Sequence, residues 1–346
     1  MIRGLLIALS VLLAGCVSSS SGLPGISPSE SNAGRFAGAA SRAQLYASVS
    51  TAAHYPSVER YRLLHGVPAA NPDRVYSGYG GLMAVDGTGA LYVVGGNGLI
   101  VDAFPAGSTK PKREIEIPYV AKRCKFGSGG TQAISALAAD ATGHLFLGIY
   151  TYAEDRAHMR RHDVPPAPQT KGWPCEGVAI YAPGAEGKAL PIQVIRYSIP
   201  SDVIGLAVDA ADNLYVAVNQ AEVDEYTNAI NDPTKSRVFK STYTGQIHSI
   251  ATDERGDLFI ASTGASYELG RIERYSPAAG GSGAPSSQIT LSAGVHLLPA
   301  LAAHARVIYL DDKYSSVDLY HAFKNGSQSP FYSLPAQNVS SLAIGP

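Results

Sequence analysis

The chain has 346 residues with 27 basic against 28 acidic side chains, and a net charge of −1 excludes a general nucleic-acid or anionic-membrane footprint. Hydrophobic residues at 45% and charged residues at 16% exclude a disordered chain and supply a sizeable core. Gly at 36, Pro at 22 and Tyr at 20, against Met at 3, favour turns and strands over helices.

The amino terminus reads as an address. Met1-Ile2-Arg3 supplies a positive start, and the apolar run from Gly4 to Leu13 is too short to cross a bilayer as a helix, which needs about 20 residues. It has the dimensions of a secretory signal core. The following Leu13-Ala14-Gly15-Cys16 resembles the bacterial lipobox at all four positions, which implies a signal peptide over 1–15 and a diacylglycerol on Cys16. Multiple acyl chains anchor stably, whereas one binds only marginally. Val17 stands where an inner-membrane retention Asp would sit, so the resemblance points to the outer membrane, on its periplasmic or surface side. Residues 16–42 are rich in Ser, Gly, Ala and Pro without an apolar period, as in a flexible tether. Of three cysteines, lipidation of Cys16 leaves Cys124 and Cys175. An oxidising compartment favours their bridging, with two free thiols as the alternative.

From residue 43 onward one line recurs. A short apolar run ends in Asp; after a turn a second run opens with Leu-Tyr or Leu-Phe; Val-x-x-Tyr follows. The first run stands at Leu82 to Asp86, Ala136 to Asp140, Gly205 to Asp209 and Ser249 to Asp253, degenerates at Ala300 to His304, and returns as Ser341-Leu342-Ala343-Ile344-Gly345. The second begins at Leu91, Leu145, Leu214, Leu258 and Ile308; the third runs Val101 to Phe104, Val178 to Tyr181, Val223 to Tyr226, Ile272 to Tyr275 and Val317 to Tyr320. A sixth unit is split, its second and third runs being Leu45-Tyr46-Ala47 and Val58-Glu59-Arg60-Tyr61 near the other end of the chain. Joining the two ends in one sheet removes the open edge of a ring. Asp86-Gly87-Thr88-Gly89, Asp140-Ala141-Thr142-Gly143 and Asp253-Glu254-Arg255-Gly256 place Asp first and Gly fourth, a type I turn signal. Ala84, Ala138, Ala207, Ala251, Ala302 and Ala343 hold one position in every first run, where blades converging on an axis need a small residue. The predicted fold is an all-β, six-bladed propeller of four-stranded antiparallel blades over 43–346, closed by pairing of the terminal strands.

These Leu-x-x-Asp-x-x-Gly-x-Leu-Tyr lines, with Val178-Ala179-Ile180-Tyr181-Ala182-Pro183-Gly184-Ala185, resemble the NHL-type and gluconolactonase-like bacterial β-propellers over residues 43–346. The resemblance implies a fold more than an activity, since propellers host many functions. In metal-dependent members, Glu, Asn and Asp from several blades hold a divalent cation at the channel. The matching second-strand ends here are Gly95, Ile149, Val218, Ser262, Asp312 and Val49, and only one of these six is acidic. Asn97 and Asn219 do not complete a cage, so no metal and no cofactor is assigned.

The interval from Asp140 to Asp209 is the longest, owing to an insertion at 152–176 after the second strand of its unit. Cys175 ends that insertion and Cys124 lies in the connector entering the same unit, so alternating strand directions place both on one rim, where a bridge would reduce the cost of ordering the loop. The insertion carries Arg156, His158, Arg160, Arg161 and His162, with Trp173 beside the second cysteine; Lys122, Arg123 and Lys125 flank the first. Such a cluster suits capture of carboxylate or phosphate, or serves as a solvated loop. His248 and Ser135 precede their first strands by matching offsets, at the channel mouth, with Asp311 and Asp312 on the same side. The expected function is an exported, lipid-anchored binding or scaffold module at the cell envelope, a monomer engaging an envelope protein or an anionic small molecule or glycan, with no nucleic-acid partner. A lactonase-like hydrolase or lyase using His248 and Asp312 is the alternative.

Overall fold

The computed structural model describes residues 43–346 except 52–53, 96–97, 119–129, 154–175, 198–201, 220–221, 243–244, 265–269, 279–282, 292–299 and 312–315. Six antiparallel sheets form a closed six-bladed β-propeller. From the axis outward, blade 1 comprises Ser341–Gly345, Gln44–Thr51, His54–Leu64 and Arg74–Ser77. Blade 2 comprises Met83–Val85, Leu91–Val94, Ile100–Phe104 and Arg113–Glu116; blade 3 comprises Gly130–Ala139, Leu145–Ala153, Gly177–Tyr181 and Gln193–Arg196. Blade 4 is built from Val203–Val208, Leu214–Val218, Glu222–Thr227 and Thr234–Lys240, and blade 5 from Gln246–Thr252, Leu258–Thr263, Gly270–Tyr275 and Ser287–Leu291. Leu301–His304, Val307–Asp311, Ser316–His321 and Tyr332–Pro335 make blade 6.

Ring closure follows the split unit. Gln44 pairs with Gly345, Tyr46 with Ala343 and Ser48 with Ser341, so the last strand of the chain is the innermost strand of blade 1. The blades pack through six separate apolar clusters, one at each seam between neighbours. A strand such as Leu214–Val218, buried at every residue, serves two seams at once, which is why its sequence is apolar throughout rather than alternating. The recurring alanine of the first strand packs in the seam toward the next blade: Ala84 between blades 2 and 3, Ala138 between 3 and 4, Ala207 between 4 and 5.

The aspartate closing four of the first strands acts through its side chain. Oδ1 of Asp209 accepts the backbone N–H groups of Ala211 and Asn213, each at 2.9 Å, while Oδ2 accepts Asn213 Nδ2 at 2.9 Å and Tyr215 O–H at 3.1 Å. Asp86 and Asp140 repeat the pattern, with Tyr92 and His144 on Oδ2. Such side-chain bonds to nearby backbone fix a turn without a helix or ladder. The fourth turn position needs a left-handed backbone, supplied by Gly89, Gly143 and Gly256 at φ 82°, 95° and 76° and by Asp212 at φ 60°.

Outer edges are covered by loops of the following blade. Arg113 Nη1 donates to the Ala185 carbonyl at 3.1 Å, Gln193 Nε2 to Asn231 at 3.0 Å, and Arg237 Nη1 to Pro277 at 2.9 Å. Two blades carry a fifth strand beyond the expected four. Gly326–Gln328 pairs parallel with Ser287–Leu291, strapping blade 6 onto blade 5. Val67–Pro68 folds back on His54–Leu64 in blade 1, and the neighbouring Gly66 carbonyl accepts Tyr309 O–H of blade 6 at 2.6 Å.

Candidate functional site at the channel mouth

All six innermost strands contribute to a central cavity of about 90 Å³, lined by Leu82 and Met83, Ser135 to Leu137, Ile204 to Leu206, His248 to Ile250, Ala300 and Leu301, and Ser340 to Leu342. Three of these strands carry a bulge at one repeat position, five residues before the closing aspartate. The pairing skips Ser135 in blade 3, Ile204 in blade 4 and His248 in blade 5. A bulge re-aims a side chain and leaves its residue outside the ladder, and all three residues line the cavity. The matched offsets of Ser135 and His248 therefore reflect a repeated distortion. Both residues lie within their first strands, Gly130–Ala139 and Gln246–Thr252, rather than before them as the sequence suggested.

His248 is half-buried, and its Nε2 stands 2.7 Å from Thr263 Oγ1. Burial holds the imidazole below its ordinary 6.5, so it is neutral at pH 7. Ser135 Oγ is buried with no hydrogen-bond partner among the described residues. Across the channel, Ser48 Oγ receives Gly81 N–H at 2.7 Å and Ser340 O–H at 3.0 Å, and Ser341 Oγ receives Met83 N–H at 3.3 Å. Among the described residues the mouth thus presents four serine hydroxyls and one imidazole, none of them charged at pH 7, set between apolar side chains and suited to hydrogen bonding with polar groups.

Of the residues singled out from sequence, the structure brings His248 and Ser135 together at this mouth. Cys16, Cys124, Arg156, His158, Arg160, Arg161, Trp173, Cys175 and Asp312 lie outside the described residues. Asp311 ends its strand fully buried. Gly95, Ile149, Val218, Ser262 and Val49 bring no carboxylate to the second-strand ends, and no group of three His, Cys, Asp or Glu stands together among the described residues. Among the described residues, those positions supply no set of oxygen ligands for a divalent cation.

A second recurring feature escaped the sequence reading. The residue after the third-strand Val, or Ile in blade 5, is acidic in five blades, as Glu59, Asp102, Asp224, Glu273 and Asp318. Tyr61 donates to Glu59, Tyr275 O–H to Glu273 at 3.4 Å, and Tyr320 O–H to Asp318 at 3.5 Å. Lys235 pairs with Asp224 at 2.7 Å, while Thr242 donates to Glu273 through both backbone and hydroxyl. Burial, then Glu114, raise the Asp102 carboxyl above its ordinary range. The signal was available as Val/Ile-acid-x-Tyr/Phe; Asp224 and Glu273 reach beyond their own strand, to Lys235 and Thr242, while Glu59 meets the tyrosine two residues on.

The fold defines a six-bladed β-propeller with a recessed axial mouth whose polar groups are serine hydroxyls and the His248 imidazole. Among solved structures it is similar to the periplasmic gluconolactonase of Pseudomonas aeruginosa, at 10% identity and TM-score 0.53, covering 87% of this chain and 98% of that one. A putative 6-phosphogluconolactonase of Bacteroides fragilis matches at 8% identity and TM-score 0.55, over 88% and 98%. A protein of unknown function from Bacteroides caccae matches at 10% identity and TM-score 0.53, over 88% and 99%. At these identities the likeness is one of fold. No family model and no curated protein sequence matches the chain.

Proposed function

We propose that the chain is an exported, lipid-anchored recognition module of the cell envelope that takes an anionic small molecule or glycan on its channel-mouth rim. The observation that carries this reading is the row of bulges that aims Ser135, Ile204 and the neutral His248 at the axis. Uncharged donors and acceptors at that place suit a hydroxyl-rich ligand, and the strands flanking residues 154–175, with their three arginines, end on the same face. Arginine there supplies the charge-specific contact. A Cys124–Cys175 bridge bracketing the insertion belongs to this reading, and intact mass without reductant checks it.

Affinity capture from envelope extract, with acidic glycans and proteins assayed separately, tests the proposal. Wild type retains an acidic glycan or small acid, and exchange of Arg156, Arg160 and Arg161 for Gln abolishes retention. Unchanged retention retires the rim; retention of protein alone replaces the ligand with an envelope protein. The second reading, a lactonase-like hydrolase, draws on His248, a neutral imidazole against a hydroxyl at the mouth. Lactone turnover with stoichiometric bound metal, lost on His248→Ala or Asp312→Asn, would establish that reading instead.

A further inference from the structure

The repeat supplies an internal comparison at the seams between blades. In blade 4, Tyr215 lies opposite Glu225, and Glu225 opposite Arg237, across three adjacent strands. Nε and Nη2 of Arg237 grip the two Glu225 oxygens, the second at 2.7 Å, while Nη1 reaches Pro277 of blade 5. Blade 2 repeats the arrangement in register, with Tyr92 opposite Ala103 and Ala103 opposite Arg113. Arg113 Nη1 likewise reaches the next blade, at Ala185. The carboxylate is missing, and the Arg113 guanidinium donates to the Tyr92 hydroxyl in its place.

At the Ala103 position the other blades place Arg60, Ile180, Glu225, Arg274 and Leu319, each opposite the second-strand aromatic. Blade 2 puts a methyl group there, and a cavity of about 360 Å³ opens beside it, bounded by Tyr92, Arg113, Lys112, Thr142 and Pro183. That size falls in the range of small-molecule pockets, roughly 300 to 1,000 Å³. Among the described residues no carboxylate pairs with Arg113 or Lys112. The one acid in the wall, Asp86, is engaged by Thr88 N–H and O–H and Ala90 N–H on Oδ1 and by Tyr92 O–H on Oδ2. The crevice opens beside the first-to-second-strand turns, on the face opposite the channel mouth, so it is separate from the recognition rim.

We propose that this crevice binds a small molecule bearing a carboxylate, seated on the Arg113 guanidinium as the Glu225 carboxylate is seated on Arg237. Planar fork-to-carboxylate geometry is the preferred use of a guanidinium. Lys112 at the entrance adds a second positive charge, and Pro105, Ala106 and Pro183 offer apolar wall to the rest of the ligand.

Propionate is the probe, since it reproduces the end of a glutamate side chain, and propionamide is its neutral counterpart. Titration of the full chain, followed by NMR, shows saturable propionate binding and a far weaker response to propionamide. Arg113→Gln weakens propionate by at least about tenfold, the loss expected for charge-assisted hydrogen bonds. Ala103→Glu supplies the carboxylate covalently, so binding disappears while the melting temperature rises, which separates an occupied site from an unfolded one. Glu225→Ala opens a second propionate site in blade 4. No saturable response in the wild type, an equal response to propionamide, or binding that persists in Ala103→Glu would each overturn the proposal.

Discussion

Replacing Asp253 by Asn should stabilise the protein at neutral pH and not in acid. Asp253 is the closing aspartate of blade 5, and its Oδ1 accepts the N–H groups of Arg255 and Asp257 at 3.0 Å each. In the other copies Oδ2 meets Tyr92, His144, or Asn213 and Tyr215. Blade 5 has Phe259 and Asp257 at those places, so Oδ2 of Asp253 is buried without a donor. Burial is the main cause that lifts its carboxyl from 3.8 to about 6, with the Asp257 charge adding to it. The native state therefore holds this proton when the unfolded chain has released it, and stability falls as pH rises from about 4 to about 6. At about 1.4 kcal/mol per pH unit the penalty reaches about 3 kcal/mol above that window. An amide keeps the Oδ1 acceptor and removes the charge. Urea denaturation at a series of pH values should show wild type and Asp253→Asn equal near pH 4 and diverging by up to about 3 kcal/mol by pH 7. Glu254, held down to about 2 with His304 as its main stabilising partner, loses its contribution as pH falls from 4.5 toward 2, almost wholly below this window and alike in both proteins. A difference independent of pH, or a less stable variant at pH 7, would refute the reasoning.

The opposite result is expected one blade earlier. Asp209→Ala strands two backbone N–H groups and the Tyr215 hydroxyl, at a cost of about 3 kcal/mol; a loss under about 1 kcal/mol in denaturant melts would deny the turn its role. Deleting residues 341–346 removes the innermost strand of blade 1 and should abolish cooperative unfolding, read by circular dichroism, whereas an unchanged melt would mean the ring does not depend on its clasp. The His248 ring protons should titrate below pH 6.5 in NMR, and a midpoint above that value would remove the neutral imidazole from the mouth.

Much of this architecture is written locally. An Asp that caps its own turn, a Gly three residues on, and an aromatic opening the next strand depend on neighbours within six positions, so they repeat visibly along the chain. The split unit was legible because each half kept its own signature. Outer strands were not, since Arg113–Glu116 and Gln193–Arg196 are four residues long and carry a single fully buried apolar residue each, the others being half-buried or exposed. The parallel strand Gly326–Gln328 has no apolar residue at all and is held by backbone pairing to another blade. Bulges leave no local mark either; the matched offset of Ser135 and His248 hinted at one, and the equivalence of Ile204 emerged only from the pairing. The seam cavity required knowing that Ala103, Glu225 and Arg274 are equivalent, which strand register supplies and periodicity does not.

Pairing Gln44 with Gly345 also sets a timetable. A chain synthesised from its amino terminus makes the Gln44–Thr51 and His54–Leu64 hairpin first, yet the hairpin's inner margin waits for the final residues. Joining ends some 300 positions apart costs about 5 kcal/mol in loop entropy if nothing lies between them. Blades 2 to 6 lower that cost by bending the intervening chain into an arc before the last strand arrives. Until then an unsatisfied row of amides and carbonyls invites pairing with any extended peptide, so the nascent ring is most vulnerable to aggregation and cleavage until Ser341–Gly345 has docked on residues 44–48.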